Sequence, residues 1–211
     1  MRAILENRLA TSDLLISVNT AILAIHWQND IVLPSGAFGS IFADSIARTG
    51  ALRHAATAVA ESRRRGALVV HVLAAYDSNY RGHVVNNALF RTVEQRHAFI
   101  RRTSGAAICS ELQPEDVDLI AEHRRISAFH GTDLSAQLRA AGILNLAITG
   151  VATNVAVDHT TRDAVQEGFN TYLLEDCCCS SNSTFHDAAM LTLNALSTHV
   201  LHHGRFLELL K

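Results

Sequence analysis

The feature that most constrains this chain is an alternation. Short unbroken apolar runs (TAILAI at 20–25, ALVVHVLA at 67–74, NLAIT at 145–149) are separated by longer segments whose apolar residues recur at helical spacing. A short strand that is apolar throughout must be covered on both faces, as strands of a parallel sheet are. Parallel neighbours need crossover connections, and the helical segments supply them. The pattern predicts strands at 20–25, 67–74, 118–121, 145–149 and 170–174, with a short last strand or turn from Val200. It predicts helices at 45–65, 134–141, 156–167 and 183–197, with Gly66, Gly142 and Gly168 as stops. Residues 75–115 read as a long irregular excursion with short helices, a usual place for substrate contacts. The expected fold is α/β: a three-layer sandwich around a mainly parallel sheet, one domain over residues 1–211.

Composition narrows the function classes. With 48% apolar and 18% charged residues, the 211-residue chain is suited to a full core. It has no apolar run near the roughly 20 residues of a membrane span. A net charge of −2 offers no basic field for nucleic acid or an anionic membrane. Residues 1–15 carry Glu6, Asn7, Arg8 and Asp13, which interrupt any signal-peptide core, so a cytoplasmic protein is expected. The four cysteines, Cys109 and the run Cys177–Cys179, form no CxxC pair and read as small buried thiols. The sole lysine is the last residue, Lys211, whereas histidines number 12.

Ligands of open parallel sheets bind outside the carboxyl ends of the strands. Three segments therefore carry the candidate chemistry: His26-Trp27-Gln28-Asn29-Asp30, Glu122-His123-Arg124-Arg125, and Val151 to Ala156.

These segments, with their surroundings, resemble the isochorismatase-like hydrolases. AILAIHWQNDIV, HRRISAFHGTDL, ITGVATNVAVDHTTRDAVQEGF and LLEDCCCSSNSTFHDAAM are similar to four ordered family motifs, and the match they anchor spans most of the chain, from residue 21 to 190. The resemblance implies a homodimer or homotetramer acting on a small molecule. It also implies a cis Val151–Ala152 peptide and backbone N–H groups of Ala152 and Ala156 that face the pocket as an oxyanion hole. Family members place an aspartate, a lysine and a nucleophilic cysteine around that pocket. Here the matching positions are His26, His123 and Ala156. An alanine methyl forms no acyl intermediate, and no lysine precedes Lys211.

An imidazole titrates near pH 6.5 and exchanges protons at neutral pH. His26 and His123, converging as their counterparts do, would serve as base and acid for hydrolysis, elimination, isomerisation or cyclisation of a carbonyl-bearing or cyclic metabolite. Trp27, Gln28, Phe129, Ala152, Asn154, Ala156 and His159 are the candidate substrate contacts. Trp27 alternatively packs at a subunit contact, and Phe129 alternatively sits in the core. No cofactor is expected. A metal held by His26, His123 and His159, with His71 or Asp30 in reserve, is the variant reading. The alternative function is an inactive ligand-binding or assembly subunit. Arg63–Arg65 suit the negative end of a helix dipole, and His199, His202 and His203 read as a surface tail.

Overall fold

The computed structural model describes residues 14–211. The segment read above for targeting, residues 1–15, therefore lies almost wholly outside the described residues. Six strands, β1 (Thr20–Ile25), β2 (Leu68–Ala74), β3 (Leu119–His123), β4 (Asn145–Val151), β5 (Asn170–Cys179) and β6 (His199–Leu201), form one sheet in the order β3-β2-β1-β4-β5-β6. Every pairing is parallel. Helices cover both faces: α2 (Gly39–Thr49), α3 (Ala51–Arg64) and α8 (His203–Leu209) on one, α5 (Leu134–Ala140), α6 (Asp158–Gln166) and α7 (Ser183–Leu193) on the other. The short α1 (Asn29–Val32) follows β1, and α4 (Ala88–Gln95) lies in the excursion. No described helix is long and apolar enough to cross a membrane.

Strand β1 shows why the sequence alternates as it does. Ala21, Leu23 and Ile25 enter one core while Ile22 and Ala24 enter the other, all fully buried. Each large side chain so buried contributes about 1.5–3 kcal/mol. Gly150 lets β4 close on this strand, because a Cβ there would stand 2.5 Å from the Ile25 carbonyl oxygen. Chain order reverses between β1 and β4, and the crevice outside their carboxyl ends is where such sheets bind ligands.

Two expectations are corrected. The helix expected over residues 45–65 is two helices, parted at Gly50, whose φ of 70° caps α2 in the left-handed region. Strand β5 does not stop at 174 but runs through Cys177–Cys179, where the register with β4 shifts between Ile148 and Gly150. The three thiols are thus buried strand residues, and burial pushes the Cys177 and Cys178 thiols far up.

Candidate active site

His26 follows the last residue of β1 with φ 57°, a left-handed conformation uncommon outside glycine. Its backbone N–H donates to the Val72 carbonyl at 2.9 Å. His123 ends β3, two strands away, and β2 between them ends on Ala74, in register with His123. The Nε2 atoms of His26 and His123 lie 2.6 Å apart, and the ring planes agree within 8°.

Two imidazole nitrogens at that distance share one proton, one ring donating and the other accepting. Carbonyls stand beside both rings, Val151 beside His26 and Arg125 and Ser127 beside His123, so either ring can be the donor. His123 Nδ1 is buried and makes no hydrogen bond. Burial disfavours the charged form of both rings. It holds His26 well below its ordinary 6.5, with His123 adding repulsion and the Val151 carbonyl opposing. Burial likewise lowers His123 to about 4, opposed by the carbonyls of Arg125 and Ser127. Among the described residues no carboxylate pairs with either ring, and burial favours the neutral pair at pH 7.

The pair stands at the floor of a cleft with about 550 Å³ of space, part of it open to solvent. His26 lines the cleft, and His123 lies behind it. Val151, Ala152, Val155 and Ala156 form one wall, and the Val151–Ala152 peptide is cis. A π-helical turn, Thr153–Val157, follows and leads into α6. Phe99 stacks on His26 at 6.4 Å and on Phe38 at 5.5 Å. Asp30 fixes that aromatic wall, since its carboxylate accepts from the backbone N–H groups of Phe99 (2.7 Å) and Ala37 (3.2 Å). Among the described residues Arg125 is the only charged side chain lining the cleft; its guanidinium lies 4.1 Å from the Phe90 ring centroid. The buried Tyr76 hydroxyl donates to the Arg124 carbonyl, and burial raises its phenol to about 12.

The structure brings together His26, His123, Ala152 and Ala156. The other expected contacts fall elsewhere. Trp27 is fully buried in the core, its indole N–H donating to Thr149 Oγ1 at 3.3 Å. Gln28 clamps the ends of β1 and β2 together. Its amide donates to the carbonyls of Ala74 and Ala106, and its oxygen accepts from the Ala74 N–H. Phe129 stacks on Phe169 beside the second core. Asn154 meets Ser180, and the exposed His159 holds the Val155 carbonyl of its own turn. The expected third metal ligand is therefore not gathered to the pair. His71 and Asp30 are engaged too, with Asp118 and with backbone N–H groups. Sequence reasoning missed Arg125, Phe90 and Phe99. Arg125 lies within a strand-end segment already singled out, but nothing local tells which of two adjacent arginines turns inward.

The isochorismatase domain profile matches residues 20–204. Ureidoacrylate amidohydrolase RutB of Rhizobium rhizogenes is 29% identical over 170 residues, covering 74% of this chain and 69% of that protein. Among solved structures, a cysteine hydrolase from Pseudomonas syringae pv. phaseolicola superposes with TM-score 0.81 at 18% identity, covering 96% of this chain and 95% of that one. A nicotinamidase/pyrazinamidase from Bacillus subtilis gives 0.72 at 24% identity, covering 87% and 100%.

Proposed function

Because the chain belongs to the isochorismatase family, we propose that it is a hydrolase-fold enzyme acting on a small carbonyl-bearing or cyclic metabolite without a cysteine nucleophile. The observation that carries this reading is the His26–His123 contact at the floor of the cleft also walled by Ala152 and Ala156. By the resemblance, these residues stand where the family places its aspartate, lysine, oxyanion donor and nucleophile.

His26 is the group that meets the substrate or its attacking water. When His26 takes up a proton, the shared Nε2–Nε2 contact lets both rings carry the charge, and the apolar walls strengthen every electrostatic contact inside. Charge developing on the substrate oxygen falls to the N–H groups of Ala152 and Ala156. Water is the nucleophile in the hydrolytic version, so no acyl-enzyme forms.

A second reading has its own observation. A general base works best with a pKa near the operating pH, and burial takes His123 down to about 4. That favours a subunit that binds its ligand without turning it over.

The test is turnover of small amides, ureido compounds and vinyl ethers by the wild type, His26→Ala and His123→Ala, with unfolding curves to show that each folds. The enzyme reading expects turnover that falls by about 100-fold or more in both variants. Ligand binding with no turnover in the wild type establishes the second reading instead.

A further inference from the structure

Outside the cleft, three ligand-type side chains converge from distant parts of the chain: His54 of α3, Asp176 of β5 and His203 at the start of α8. None of them lines the cleft of His26. His203 Nδ1 lies 2.6 Å from Asp176 Oδ2, and His54 Nδ1, which donates to the Asp176 main-chain carbonyl at 3.1 Å, lies 3.8 Å from the same carboxylate oxygen. All three ligand atoms fall within 4.8 Å of one another. The two imidazole rings are stacked, 5.0 Å between centroids and 18° between planes, and both Nδ1 atoms lie within 4 Å of Asp176 Oδ2.

The charge balance is unusual for a chain so rich in arginine. Asp176 is 14% exposed at its side chain, and its ion-pair partners among the described residues are histidines only. Burial pushes its carboxyl up, but the backbone N–H and ring of His203 outweigh this and hold it below the usual carboxylate range. Oδ1 accepts the His203 N–H at 2.9 Å and caps α8. Oδ2 is left facing the two imidazoles. The neighbouring Glu175 pairs with His202 at 3.0 Å, and His202 Nδ1 is itself 3.8 Å from Asp176 Oδ2. Two carboxylates thus face three histidines that, when neutral, supply no full positive charge.

We propose that His54, Asp176 and His203 bind a divalent transition-metal cation, zinc by the chemistry of the donors, with His202 or water completing the shell. Two imidazole nitrogens and a carboxylate oxygen are a borderline set that suits zinc. Binding moves the ligand atoms by about an ångström towards a common centre, displaces the proton between His203 and Asp176, and turns His54 to the tautomer with its proton on Nε2, breaking the Nδ1–H contact to the Asp176 carbonyl. The ion ties α3, the middle of β5 and α8 together, so its role is to fasten the C-terminal helix to the sheet. It is separate from the chemistry of the cleft.

The experiment uses the full chain stripped with chelator. Zinc binding is followed by calorimetry and thermal unfolding, and cobalt(II) reports the ligand geometry through its visible spectrum. One equivalent of zinc is expected to raise Tm by about 5–10 °C when free zinc exceeds Kd by about 100-fold. The cobalt form is expected to show the intense bands of a tetrahedral site. His54→Gln and His203→Gln should each weaken binding by more than about 100-fold, beyond the effect of losing an orienting partner, while His159→Gln binds normally. His54→Gln touches no cap, so it remains informative should His203→Gln fail to fold, and its turnover should match the wild type. Absence of any zinc effect on the wild type overturns the proposal. So does zinc binding that survives intact in His54→Gln.

Discussion

Strands β1 to β3 carry two buried histidine sites, and the two are built on opposite principles. In the first, His71 Nε2, from the middle of β2, lies 3.1 Å from Asp118, just before β3, which is also held bidentately by Arg63 at 3.0 and 2.6 Å. Burial lowers His71 and raises Asp118, but each has a partner of opposite sign that opposes the shift. For Asp118 the Arg63 guanidinium wins, and its carboxyl falls below the ordinary value. In the second, at the carboxyl ends of β1 and β3, His26 and His123 have no partner of opposite sign among the described residues, and His123 Nδ1 makes no hydrogen bond. The first site is a closed ion pair that fastens α3 to the sheet edge. The second is an unfinished polar site facing a cleft, which suits a place that must accept another molecule.

The comparison breaks most decisively at His26. His26→Ala, measured in the turnover assay above, should cost about 100- to 10,000-fold in rate with little change in stability. Asp118→Asn should do the reverse. Removing one partner of a buried pair costs about 3–5 kcal/mol, read by urea unfolding, while kcat stays at the wild-type value. A stable Asp118→Asn protein would mean that the Asp118 cluster fastens nothing.

Acid sharpens the contrast further. His123 titrates near 6.5 when unfolded and near 4 when folded, so between those values the unfolded chain binds the extra proton. Stability is therefore complete above about pH 6.5 and declines as pH falls towards 4, by about 3 kcal/mol for this ring. His123→Gln should lose that part of the slope in unfolding curves taken across the window. Parallel curves for variant and wild type would show that the ring is not buried neutral.

The smallest effect concerns the cleft's charged side chain. Arg125 also donates to the Val84 carbonyl and the Asn86 side chain, so it is held at the cleft wall. Arg125→Met should raise KM for a carboxylate-bearing substrate about tenfold and leave kcat within about twofold. An unchanged KM for every anionic substrate tested would remove Arg125 from recognition.

Much of the sheet was legible before any coordinates. The five strands expected before Val200 each overlap an observed one, and Gly66, Gly142 and Gly168 stand where α3, α5 and α6 end. Helix α8 was not foreseen, because LHHGRFLELL is short and begins on residues that read as a tail. The site was legible as a set of strand ends, and two of its histidines were singled out there. Trp27 and Gln28 follow His26 directly, yet one enters the core and the other clamps a neighbouring strand. Side-chain direction just past a strand end follows from φ and ψ at each residue, and the left-handed His26 breaks the alternation on which such reading depends.

By itself the sequence determined what local pattern can carry: α/β architecture, the positions of the strands, and membership in a family through ordered motifs. Periodicity and turn chemistry act over a few residues, so they survive in one dimension. Only the tertiary structure decided that His123 stands behind His26 rather than beside it in the cleft. It alone set the Nε2 atoms 2.6 Å apart and brought His54, Asp176 and His203 together across 149 positions of chain. Those facts depend on packing between elements far apart in sequence, and burial, which shifts the pKa values, exists only once that packing has formed.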